Sequence, residues 1–245
     1  MTKRERVRKA LRFQEPDRIP IDNNGAVSGM HEIAYKNLLT YLGEEDMISI
    51  YDPTQRLALV KQEVRDRLGV DTLYIGPNPP SFWEYRENSD GSWTDEFGSY
   101  YERCGYYTEF VKPVLALADF REIKNYTFPD PRDPARFEGL EDRTKNLYET
   151  TDYALVGGLL PNLYYTAWVL RGMQRFTEDT MLNPEISDYL LDKISLFRDL
   201  RQHCSNLILG SGQMSLLLFF HSYEYKQFLN CTTSLDSSDT HLRLV

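Results

Sequence analysis

Over its first two hundred positions the chain alternates between helical apolar periodicity and short unbroken apolar runs. Thr2 and Glu5 stand three apart ahead of a helical run, the spacing of a capping box. Val7, Ala10, Leu11 and Phe13 form the apolar stripe of that helix, and Glu15-Pro16-Asp17 stops it. Residues 18–22 read as a short strand with Pro20 near its start, turned by Asn23, Asn24 and Gly25. Residues 30–42 predict a second helix with Ile33, Leu38, Leu39 and Leu42 inward, closed by Gly43. Asp52-Pro53 has the form of a helix N-cap followed by Pro, with apolar Leu57, Leu59, Val60 and Val64 carrying the helix to about residue 68. Gly69 ends it, and the mostly apolar residues 70–75 follow at once as a strand. That helix–Gly–strand join is typical of a βα fold with a buried parallel sheet.

Residues 82–112 break the rhythm. Trp83 to Arg86 alternate, Ser89-Asp90-Gly91 turns, and strand-like runs follow around Gly105, so an antiparallel β-meander inserted in a βα loop is expected. Its aromatics read first as packing for a small sheet and second as a ligand wall. A short helix at 119–124, a Pro- and Asp-rich connector at 128–134 and a helix at 137–149 lead to a buried strand at 153–156, ended by Gly157-Gly158. Helices are then expected at 163–170 and from Asn183-Pro184 to about residue 200, the latter with Ile186, Leu190, Leu191, Ile194 and Phe197 on one face.

Composition narrows the class. At 245 residues the chain could hold one large domain or two small ones, and a (β/α)8 barrel takes about 250. It is 41% hydrophobic and 27% charged, with no run approaching the ~18–20 apolar residues of a membrane span. The net charge of −9 argues against non-specific nucleic-acid binding. Three dispersed cysteines and a charged, signal-free start fit a cytoplasmic protein. The charge is uneven: all of the −9 falls within residues 1–200, while residues 201–245 are balanced and hold 7 serines against 8 in the first 200. This shift suggests that 201–245 has a different origin, as in a truncated or frameshifted product. Strands at 207–209 and 216–220 are expected there, the second at an open sheet edge that favours homo-oligomerisation.

Two blocks carry a family resemblance. MTKRERVRKALRFQEPDRIPID resembles the opening of uroporphyrinogen-decarboxylase-like proteins, a helix followed by "EPDR[IV]P" entering the first barrel strand. TDYALVGGLLPNLYYTAWVLRGMQRFTEDTMLNPEISDYLLDKI is similar to the family's central block, in the same order and separation. The resemblance covers about residues 1–200. It implies an α/β fold, the N-terminal part of an incomplete TIM-type (β/α)8 barrel carrying the β-meander, with a site at the C-terminal ends of the strands. It also implies either cofactor-free decarboxylation of a tetrapyrrole or methyl transfer between a corrinoid and a thiol.

In its departures from the decarboxylase pattern the chain resembles the methyltransferase-like or uncharacterised branch of the family. The loop after the first strand, residues 22–31, has no arginine where the decarboxylases supply two for the substrate's carboxylates. Asn78 stands where their Asp would be, and Trp168 falls near their substrate-facing Tyr. The candidate ligand-binding residues are Asp22, Asn23, Asn24, Asn78, Gly157, Tyr164 and Trp168, with Gly158 and Tyr165 beside them; no catalytic residue is singled out. Asp22 and the two Asn residues are also ordinary turn formers. The expected ligand is an acidic or tetrapyrrole-related small molecule, and the methyltransferase branch implies a corrinoid protein as partner. That branch carries a His-x-Cys motif and a later Cys for zinc. Here His203-Cys204, His221, Cys231 and His241 do not reproduce it, so no metal and no other cofactor are expected. The alternative reading is a non-catalytic fragment or pseudoenzyme of the same family.

Overall fold

The computed structural model describes residues 1–209 apart from 24, 26, 27, 46 and 158–161, and for 198–209 the backbone alone. The chain opens with α1 (Lys3–Leu11), started by the full capping box: the Glu5 amide donates to Thr2 Oγ1 at 3.1 Å and the Thr2 amide to Glu5 Oε2 at 2.9 Å. Of its expected stripe only Val7 is buried; Leu11 is exposed, and Phe13, with a positive φ of 54°, is fully so. Helix α2 (Glu32–Leu42) ends at Gly43 in the left-handed conformation, as the sequence predicts. It buries Tyr35 and Leu39 against Ala58, Val60 and Val64, while Ile33 stays exposed.

Two expectations fail in this N-terminal third. Residues 18–22 form no strand, although the Asp71 amide donates to Ile21 O at 2.8 Å. Pro20 has no amide to give, and the Ile21 amide goes to the Asp71 carboxylate instead of a backbone carbonyl. The long helix expected from 53 to 68 is instead a hairpin and a short helix: β1 (Ile50–Asp52), antiparallel β2 (Leu57–Ala58) and α3 (Gln62–Arg67). The Asp52 carboxylate caps a turn by accepting the Thr54 and Gln55 amides at 2.9 and 3.1 Å. Arg56 then takes a left-handed φ of 55°, which no helix tolerates, and is fixed there by Glu32 and Glu87.

The next strand is β3 (Thr72–Ile75). The chain leaves it for a meander of β4 (Trp93–Thr94), β5 (Tyr100–Cys104) and β6 (Tyr107–Lys112), antiparallel in the order β4-β5-β6. Residues 83–86 are not part of it. Helix α4 (Phe120–Asn125), a 3-10 turn (Pro134–Phe137) and α5 (Leu140–Thr150) return the chain to β7 (Ala154–Gly157). β7 lies parallel to β3, from Thr72 opposite Ala154 to Ile75 opposite Gly157. Leu73, Ile75 and Leu155 bury one face of this pair against Leu140 and Tyr153. The fold is thus mixed α/β with three separate sheets, and among the described residues they do not assemble into a closed barrel.

Three helices follow: α6 (Leu163–Arg171), α7 (Met173–Leu182) and α8 (Pro184–Leu209). With Leu115 and Ile123 they enclose the largest apolar core, including Ala167, Leu170, Phe176, Ile186, Leu190 and Ile194. α7 is absent from the sequence reading. α8 runs without interruption through 207–209, so the strand expected there is helix; the run at 216–220 lies outside the described residues. Among the described residues no helix is long and apolar enough to cross a membrane.

Candidate functional site

In a parallel βα arrangement the loops that leave the C-terminal strand ends carry the ligand-facing groups. Here Asp22 and Gly25 lie along β3, at Thr72 and Tyr74, and the residues after Ile75 meet the N-terminal turn of α5. Asp22 accepts from Thr72 Oγ1 and from Ser28 Oγ, the latter at 2.7 Å, so its carboxylate ties the loop to β3. Gly25 lies so close to Tyr74 that an added Cβ would sit 2.7 Å from the ring's Cε2, which explains glycine at that position. Tyr51 faces the same region. Burial, then Tyr74 and Asp52, pushes its phenol up to about 12, which keeps it a neutral donor. Asn23 Oδ1 is buried without a hydrogen-bond partner.

Asn78 is placed differently from the other candidates. Its amide nitrogen donates to Ala135 O and Glu138 O at 3.1 and 2.9 Å, and its Oδ1 accepts from Arg143 Nη1 at 3.2 Å. The side chain therefore pins the end of β3 to the 135–143 segment. Its partner Arg143, in the first turn of α5, also donates to Gly76 O at 2.9 Å. A guanidinium has five N–H donors, so Arg143 keeps several for a ligand above the strand ends. The sequence reading missed it. Its signal was a basic residue in the first turn of a helix that begins at a strand's C-terminal end, a position a macrodipole argument would not fill with a cation.

Along α6 successive residues face different neighbours. Tyr164 contacts Trp168 and Phe176 edge-on at 4.9 and 5.2 Å and so packs on the helical core. Trp168 belongs to the same packing, and its indole N–H is buried without a partner. Tyr165, one position on, turns to the meander, where its ring meets Phe110 edge-on at 6.4 Å. Behind Phe110 stands Tyr101, stacked on Trp93 at 4.2 Å with an interplanar angle of 10°; the Tyr101 hydroxyl donates to Asp95 Oδ2 at 3.3 Å. Burial is the main force on Asp95 and raises its carboxyl to about 6, despite the Ser99 and Phe97 amides it accepts. The Tyr165 phenol is also raised, first by burial and then by Asp52 and Glu109. The meander's aromatics pack: Trp93 and Tyr101 lie on Val169 of α6, and Phe110 meets Tyr165 edge-on.

Asp22 is thus tied to Thr72 at the start of β3, Gly157 ends β7 opposite Ile75, Asn78 is engaged by Arg143, and Tyr164 and Trp168 face the helical core. Asn24 and Gly158 lie outside the described residues, as do His221, Cys231 and His241. Among the described residues no three His, Cys, Asp or Glu side chains gather as metal ligands, so no step is built on a metal. Compared with protein-family models, curated proteins and solved structures, the chain gives no match in any of the three.

Proposed function

We propose that the chain is a uroporphyrinogen-decarboxylase-like protein nearer the methyltransferase-like branch, and that β3, α5 and β7 are one βα crossover of a (β/α)8 barrel. Its ligand is an acidic, tetrapyrrole-related small molecule held over the C-terminal ends of β3 and β7. The observation that carries this reading is Arg143 at the C-terminal end of β3, bonded to Gly76 O and to Asn78, with Tyr74 of β3 and Tyr51 interacting nearby. Arg143 supplies the cation that the 22–31 loop lacks, and the phenols supply donors and a flat apolar wall. What these groups can do is bind and orient a carboxylated ring system and hand it hydrogen bonds. Either chemistry of the branch, loss of a carboxyl or methyl transfer with a corrinoid protein as partner, begins from that binding.

A second reading, binding without turnover, is favoured by one observation: Asn78, at the decarboxylase's Asp position, is consumed in structural hydrogen bonds. One experiment separates the two. The protein is incubated with uroporphyrinogen, following carboxyl loss, and separately with methylcobalamin and a thiol, following loss of the cobalt–methyl absorbance. Binding of uroporphyrin is titrated in parallel. Turnover in either assay, reduced at least tenfold in Arg143→Ala, supports the enzyme. Saturable uroporphyrin binding without turnover supports the second reading. Neither binding nor turnover overturns both.

A further inference from the structure

Asn78 is fixed from three sides at the C-terminal end of β3. Its backbone amide donates to Arg136 O at 2.8 Å, and its side-chain nitrogen donates to Ala135 O and Glu138 O at 3.1 and 2.9 Å. Both partners of that side-chain nitrogen are carbonyls, which only accept. The amide therefore cannot turn over, and Oδ1 must face away from them. An aspartate there would set oxygen against two carbonyl oxygens, which accounts for asparagine at this position. The oxygen so aimed accepts from Arg143 Nη1 at 3.2 Å, while Nη2 of the same guanidinium donates to Gly76 O at 2.9 Å. Two acceptors on one short segment thus hold both terminal nitrogens of the fork.

Arg143 keeps most of its donors. It spends two of its five N–H groups on these bonds, and three remain, one on each nitrogen. Glu141 and Asp142 precede it, exposed in the same first turn of α5, yet among the described residues no carboxylate is paired with it. We infer that Asn78 is a positioning residue, one that orients the Arg143 guanidinium for a ligand carboxylate at the end of β3. This rests on the proposed ligand site for the identity of the ligand. Asn78 touches no reacting atom in this role and acts only through Arg143.

The physical reason lies in the geometry of the pair. A guanidinium and a carboxylate bind best through parallel N–H···O bonds in a shared plane, so the plane of the fork decides whether they meet well. An arginine on an exposed helix face loses rotamer freedom when it binds. One already held by Gly76 O and Asn78 Oδ1 has less to lose, and the restraint appears as affinity. A lysine at 143 would keep the charge but not the plane, because an ammonium is a point donor on a flexible stem.

The test titrates uroporphyrin against the full chain in a double-mutant cycle of Asn78→Ala and Arg143→Ala. The expected result is that Asn78→Ala weakens binding about tenfold when Arg143 is present and has no effect once Arg143 is alanine. An equal loss in both backgrounds, the mark of a merely structural role, overturns the inference. Arg143→Lys, at an exposed position, covers the case in which Asn78→Ala does not fold: it should also bind about tenfold more weakly, and parent-like affinity overturns the inference. A separate arm needs no ligand. In the 15N-arginine-labelled chain the Arg143 Nη1 and Nη2 resonances, assigned by their loss in Arg143→Lys, should be separate in the parent and merge in Asn78→Ala. Merged resonances in the parent overturn the inference. If uroporphyrin does not bind the parent, the ligand reading fails, while the resonances still decide whether Asn78 holds Arg143.

Discussion

Asp179→Ala in α7 is expected to cost about 3–5 kcal/mol of folding stability. Asp179 is 0% exposed and its partner Arg171, the last residue of α6, 1%. Arg171 Nε donates to Asp179 Oδ2 at 2.7 Å, and its Nη1 donates to Leu115 O and Ala118 O at 2.7 and 2.6 Å. Asn183 Nδ2 completes the carboxylate at 2.9 Å. Alanine removes the counter-charge and leaves the guanidinium buried among apolar side chains, the situation in which breaking a buried pair costs that much. Such a loss is a large part of the ~5–15 kcal/mol that holds an ordinary domain.

The assay is urea unfolding followed by tryptophan emission, comparing the parent, Asp179→Ala and the double variant Arg171→Met/Asp179→Leu. The double variant should recover part of the loss, because both charges leave together and the site can become apolar; Leu115 O keeps the Ala118 amide, so what stays lost is the bond to Ala118 O, at about 1–3 kcal/mol if water does not reach it. A loss below about 1 kcal/mol in Asp179→Ala would refute the reasoning, since the pair would then behave as a solvated surface bridge. The same bond sets where α6 sits against the 115–118 segment, and so where Tyr165 stands relative to the meander. The variant should therefore weaken uroporphyrin binding even where it remains folded.

Two pH predictions have opposite signs. Asp71 is buried, which pushes its carboxyl up, but Arg18, the Ile21 amide and Arg6 outweigh that and hold it below its ordinary value. Its stabilisation is therefore present above the unfolded value near 4 and is lost as pH falls below it; Asp71→Ala should cost about 3 kcal/mol at pH 7 and flatten the acid limb of a stability-versus-pH curve. Asp95 is raised to about 6, so the folded state holds its proton more tightly than the unfolded chain and stability falls as pH rises from about 4 to 6. Asp95→Asn should remove that decline and be up to about 3 kcal/mol more stable at pH 7; parallel curves for parent and variant would refute it.

The legible parts of the fold were those with a local cause. Thr2 and Glu5 spell a capping box, Gly43 a left-handed helix end, and the apolar run before Gly157 a buried strand; each is decided within four residues. The 53–68 helix was misread because Leu57, Val60 and Val64 fit a helical spacing while the deciding force is tertiary. Glu32, 24 residues away, holds Arg56 in a conformation that ends any helix. The site divides the same way. Asp22 and Asn23 are placed by a turn that the sequence announces, whereas Arg143, Asp95 and Tyr101 depend on how an inserted meander and α5 fold back over β3, contacts that span tens of residues.

The two ends of the parallel pair use charge for different purposes. At the N-terminal end of β3, Asp71 is fully buried and fully matched, with Arg6, Arg18 and a backbone amide taking both oxygens. Nothing there is left to bind a ligand, and every change should read out as stability. At the C-terminal end the polar groups are under-matched. Arg143 has donors to spare there, and in the meander Asp95 is buried without a cation bonded to it, since the nearby guanidinium of Arg136 is spent on Glu96. Leaving such groups incomplete costs folding free energy. Asp95→Asn should therefore return stability at pH 7, whereas Asp71→Asn, which breaks a fully matched set of bonds, should return none.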